Sequence, residues 1–172
     1  MRVTEVDMAD QKDDPLRPTQ DSRGFFMLPR SPAESGYYTY GTMDNKPDRG
    51  GYQYPHPIMM QAILRVGLEW QAIDRRRFGI GNISRADAFD DDDHDSHLDG
   101  LQVDVRPLRK DGLEEPVTWR QAQLYDRDGT AKLIELFRTF APVRLVLFND
   151  TSIPFVRTAR RHDDHFHVAL IG

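Results

Sequence analysis

Two short alternating segments constrain this chain more than any other feature. In 101–106, Leu101, Val103 and Val105 alternate with Gln102, Asp104 and Arg106. In 165–170, Phe166, Val168 and Leu170 alternate with His165, His167 and Ala169. Successive side chains of a strand point to opposite faces, so each segment reads as a strand that buries an apolar face. The opposite face then carries Asp104, His165 and His167. Segments 78–83 and 143–148 are further strand candidates. The apolar face needs a cover, and two helices supply it. Met59, Ala62, Ile63, Val66, Trp70 and Ile73 form one helical stripe after Pro57 that ends near Arg75-Arg76-Arg77. Leu133, Leu136, Phe137 and Phe140 form a second over about 130–141, with Asp128 or Thr130 as cap and Pro142 beyond its end. The expected fold is α+β: a small antiparallel β-sheet with helices packed on one face.

At 172 residues the chain fits one domain with a tail. Residues 1–35 are rich in Asp, Pro, Arg and Ser without a sustained period, so they read as a loose N-terminal arm, partly disordered or anchored through Phe25, Phe26, Met27 and Leu28. Residues 36–172 form the domain, opening on a Gly-, Tyr- and Pro-rich segment to about 56 that reads as ordered but irregular. A net charge of -5 argues against nucleic acid as the main partner. No apolar run is long enough to span a membrane. The first residues lack the basic-then-apolar pattern of a signal peptide, so the expectation is a cytoplasmic protein or one exported by another route.

The chain has no cysteine, so disulfides, thiol nucleophiles and cysteine-type metal sites are excluded. Any metal must be held by histidine and carboxylate. Five of the six histidines fall in two segments: His94 and His97 in one, and His162, His165 and His167 in the other. His97 sits in the loop leading into the strand of Asp104. Two imidazoles and one carboxylate make a three-ligand set with a fourth position open, the pattern of a catalytic zinc site. Only one of His165 and His167 need bind the metal. The other would serve proton transfer or oxyanion stabilisation.

The strings Ser-His-Leu-Asp-Gly-Leu-Gln-Val-Asp at 96–104, of the form His-x6-Asp, and His-Phe-His at 165–167 resemble the signature of the LAS zinc metallopeptidases, which include lysostaphin-type enzymes, D-Ala-D-Ala metallopeptidases and hedgehog-like domains. The fuller strings over about 94–108 and 160–170 are most similar to the penicillin-insensitive murein endopeptidase branch. The resemblance implies His97, Asp104 and His167 as Zn2+ ligands and His165 as the active-site histidine. It implies His162 as a catalytic helper and His94 as an additional active-site histidine. The substrate it implies is peptidoglycan, cut in its peptide cross-links or stems, at the cell wall in the periplasm or a target envelope. Delivery as a phage lysin or injected effector would reconcile that site of action with the missing signal peptide. Two alternatives stay open: a non-catalytic hedgehog-like zinc-binding domain, and a D,D-carboxypeptidase or amidase on the same site. A protein inhibitor or immunity partner would leave no trace in the sequence.

Other motifs carry less. Asp90-Asp91-Asp92-Asp93 lacks the glycine and closing glutamate of an EF-hand and reads as a solvated loop. Gly79-Ile80-Gly81 is too short for a dinucleotide fingerprint. No His-Glu-x-x-His occurs, and Ser96 has no Gly-x-Ser-x-Gly setting. The tyrosines at 37, 38, 40, 52 and 54 read as packing, with a substrate-groove wall as the functional alternative. Arg106 and Arg157 flank the motifs and are candidates for holding substrate carboxylates.

Overall fold

The computed structural model describes residues 19–29, 35–40, 52–88 and 97–172, together with the backbone of 42–43 and 46–47. Its strands are β1 (Tyr37–Thr39), β2 (Thr42–Met43), β3 (Lys46–Pro47), β4 (Phe78–Ile80), β5 (Gln102–Val105), β6 (Val143–Leu147) and β7 (Phe166–Leu170). Its helices are α1 (Pro57–Gln71) and α2 (Arg127–Phe140). Five strands form one sheet in the order β1-β4-β5-β7-β6, and β2 and β3 form a separate hairpin. The fold is α+β, as expected. The sheet is mixed rather than purely antiparallel, because β1 runs parallel to β4. β1 falls in the segment read as irregular: three residues among glycines and prolines show too little alternation to reveal a strand.

One face of the sheet is the core. Phe78, Ile80, Val103, Val105, Phe166 and Val168 are fully buried. Both helices pack there, with Trp70 edge-on to Phe78 at 6.4 Å and Phe137 edge-on to Phe78 and Phe166 at 6.1 and 6.3 Å. Helix ends follow local chemistry. α1 starts at Pro57, and the His56 imidazole accepts from Ile58 N–H at 3.2 Å, so this histidine is a cap. The helix stops at Gln71, before the three arginines. Arg76 instead pairs with Asp74 and Asp126 at 2.6 and 2.7 Å. The α2 cap is Asp126 rather than Asp128 or Thr130, accepting from Gly129 N–H at 3.1 Å. Thr130 is diverted: its hydroxyl bonds Asp126 O and receives Leu108 N–H.

Residues 19–29 of the N-terminal arm pack on the domain. Leu28 is fully buried, and Phe25 lies edge-on to His56 at 5.2 Å. Arg23 donates to Leu98 O, Ser84 Oγ and Arg85 O, tying the arm to the loop of His97. Phe26 is exposed. No helix among the described residues is long and apolar enough to cross a membrane.

α1 approaches the start of β1 closely enough to exclude a methyl group. A Cβ at Gly67 would lie 2.4 Å from Ser35 O, and one at Gly36, whose φ is +74°, would lie 2.2 Å from Gly67 O. Gly→Ala within a helix normally gains up to about 1 kcal/mol. Here overpacking against backbone reverses the sign, and Gly67→Ala is expected to cost about 1–3 kcal/mol. Urea unfolding measures it, and a midpoint at or above wild type would contradict the close approach.

Candidate metal centre

The pairing of β5 with β7 brings the two motifs together. In this antiparallel register Asp104 faces His167 directly, which places two side chains within reach on one face. His167 Nδ1 lies 3.0 Å from Asp104 Oδ1. His97, immediately before the turn into β5, completes the group, with Nε2 3.4 Å from Asp104 Oδ2. The His97 and His167 rings meet edge-on at 5.1 Å. All three residues are buried, and their three ligand atoms lie within 4.8 Å of one another.

The outer ring atoms determine which inner atoms are free to bind. His97 Nδ1 lies 3.0 Å from Ile83 O, so it carries the proton and Nε2 presents a lone pair. His167 Nε2 lies 3.0 Å from Gln102 Oε1, which turns its Nδ1 lone pair inward. Two lone pairs and a carboxylate thus face one another within 4.8 Å, with no lysine or arginine paired to Asp104 among the described residues. Such outer partners hold metal-binding imidazoles in orientation. Burial opposes the charge on Asp104, but the facing imidazoles of His167 and His97 outweigh it and hold the carboxyl well below the usual range. Burial lowers the His97 pKa, and the bond and charge of Asp104 more than reverse this. The donor set fits a divalent metal: a charged carboxylate, two oriented imidazoles and a buried setting.

His165 stands just ahead of β7, beside the triad. Its Nδ1 bonds Asp164 Oδ1 at 2.9 Å, and its Nε2 lies 3.8 Å from Asp104 Oδ1. Burial lowers its pKa, but Asp164 and then Asp104 raise it further, so the net shift is upward. The His162 ring lies 4.7 Å from His165 and 5.8 Å from His167. Its Nδ1 bonds Arg160 O at 2.8 Å, and burial depresses its pKa. Asp163 braces this loop, accepting from Trp119 Nε1 and Asn149 Nδ2 at 2.8 and 2.9 Å.

Arg106 shares the face of Asp104. Its guanidinium stacks 3.9 Å from the centre of the Tyr40 ring and donates to Glu114 O. Arg157 is exposed and pairs through its backbone with Leu147 along the outer edge of β6, and Leu147 in turn pairs with His167. His94 and Asp90–Asp93 lie outside the described residues. Sequence reasoning left out Gln102 and Asp164 as site residues, and it read Tyr40 as packing or a substrate-groove wall without placing it beside the triad. Gln102 was detectable, because it precedes Asp104 by two positions on the same strand face. Tyr40 was not, because its place depends on the unforeseen β1.

No protein-family model matches the chain, and a search of curated proteins finds no match.

Proposed function

We propose that this chain is a zinc-dependent peptidase that hydrolyses peptide bonds in peptidoglycan cross-links or stems. The observation that carries the reading is the buried His97–Asp104–His167 triad with His165 Nε2 turned toward it. The substrate class rests on the likeness of 96–104 and 165–167 to the LAS metallopeptidases. Bound zinc would supply Lewis acidity, acidifying a water to a pKa of roughly 7 and polarising the scissile carbonyl.

The residues of the chain do the rest. Asp164 holds the His165 proton on Nδ1, which leaves Nε2 as the acceptor on the triad side. His165 takes the proton of the attacking water and returns it to the departing amine. Asp164 stabilises the imidazolium in between. His162, with Nδ1 committed to Arg160 O, offers a second Nε2 beside it. Arg106 has no carboxylate partner among the described residues, which supports a role in pairing with a stem-peptide carboxylate. The histidine held by its own carboxylate at the edge of the triad weighs against a purely structural zinc domain.

The test combines metal content with turnover. Protein purified without added zinc is expected to carry about one metal per chain and to release muropeptides from purified peptidoglycan. Chelation should abolish release, and zinc should restore it. Metal without release from cross-linked or stem peptides would turn the reading to a binding domain.

A further inference from the structure

The hydroxyl of Tyr40 is a polar group on the metal-centre face to which the mechanism above gives no task. Its position follows from the sheet. β1 lies parallel to β4, with Tyr38 beside Gly79 and Thr39 beside Ile80, and Tyr40 N–H continues the ladder to Ile80 O at 2.8 Å. Tyr37 joins the core against Phe78, so Tyr38 and Tyr40 project to the opposite face. There they lie across β4 because β4 has no side chains in the way. A Cβ at Gly79 would sit 2.8 Å from Tyr38 Cζ, and one at Gly81 would sit 2.6 Å from both Cζ and Oη of Tyr40.

Gly81 faces Asp104. Ile80 pairs with Val105, and Gly81 N–H donates to Asp104 O at 2.7 Å. Directly opposed Cβ positions in such a pair are about 4.5–5.5 Å apart. The Tyr40 hydroxyl therefore occupies the place of the side chain that would oppose Asp104. The ring is held there by the glycine floor and by Arg106 stacked on it at 3.9 Å. The hydroxyl makes no hydrogen bond to any described residue. Burial pushes the phenol well above its ordinary pKa, and the nearby charges of Asp104 and Asp164 add to this. A phenol bears its proton at neutral pH, so the group is a donor fixed in place and without a hydrogen-bond partner among the described residues.

We infer that Tyr40 donates a hydrogen bond to an oxyanion bound at the open position of the His97–Asp104–His167 centre. In the peptidase proposed above, on which this part of the inference rests, the recipient is the scissile carbonyl oxygen as it gains charge. One such fixed donor contributes about 10²–10³-fold to kcat.

The test uses Tyr40→Phe, which keeps the ring on its glycine floor, and cobalt(II)-loaded protein, whose visible spectrum reports metal ligation. Dimethylphosphinate, a tetrahedral oxyanion, is the probe. The variant is expected to show the wild-type spectrum before ligand and to bind the probe about 10–100-fold more weakly, the loss of one hydrogen bond to a charged group. Equal binding by the two proteins, or no binding by wild type, overturns the inference. Turnover is read separately. Weaker phosphinate binding without peptide hydrolysis by wild type would leave Tyr40 as the oxyanion donor and remove the peptidase reading. With hydrolysis, Tyr40→Phe should lower kcat and leave KM nearly unchanged.

Discussion

Zinc added to the metal-free chain is expected to raise its Tm by roughly 5–11 °C, and Asp104→Asn is expected to abolish the rise. A ligand that binds only the folded state contributes about 2.7 kcal/mol at 100 times its Kd. For a chain of this size each kcal/mol moves Tm by about 2–4 °C. The unfolded chain cannot offer the site, because Asp104 and His167 meet only through the β5–β7 register. Asp104→Asn keeps the shape of the side chain and removes the charge that two imidazole nitrogens face at 3.0 and 3.4 Å. Its effect on zinc affinity should exceed the 10–100-fold that loss of an outer hydrogen-bond partner causes. His167→Ala should lose metal and activity likewise. Calorimetric scans and metal analysis of the refolded proteins measure both. An Asp104→Asn protein that still carries one zinc at wild-type affinity would show that the triad is not the site.

The second large effect separates chemistry from metal binding. His165→Ala is expected to retain about one zinc per chain and lose 10²–10⁴-fold in kcat/KM, the usual contribution of a positioned acid–base group. At 1.36 kcal/mol per decade this is about 2.7–5.4 kcal/mol of barrier. The separation is expected because His165 is not among the three converging ligands: its Nε2 stands 3.8 Å from Asp104, and its Nδ1 is taken by Asp164. Near-wild-type turnover in this variant would remove His165 from the mechanism. Loss of zinc together with activity would make it a ligand.

Much of the centre was legible before any coordinates. Asp104 and His167 were placed on one face by strand alternation alone, because a period of two leaves little freedom once Val103, Val105, Phe166 and Val168 must be buried. Helices α1 and α2 were legible from their stripes, with ends displaced by a few residues. The displacement has local causes. Asp126 outcompetes Asp128 as a cap because Gly129 N–H comes within reach, and Thr130 is drawn backwards to Asp126 O. The three arginines lie beyond the end of α1, and Arg76 pairs with Asp74 and Asp126 instead.

The sequence by itself determined the chemistry on offer and which face of each strand carries it. Without cysteine, two histidine clusters and one aspartate on alternating strands leave few ways to hold a metal. Periodicity is a local property, so residue order alone records it. Only the tertiary structure decided which strands are neighbours and what turns each ring. The β5–β7 register set Asp104 against His167, and Ile83 O and Gln102 turned the two imidazoles inward. The parallel pairing of β1 with β4 laid Tyr40 over Gly81 beside the centre. These contacts join segments far apart in the chain, and they form because burying one shared apolar face brings all five strands into a single sheet.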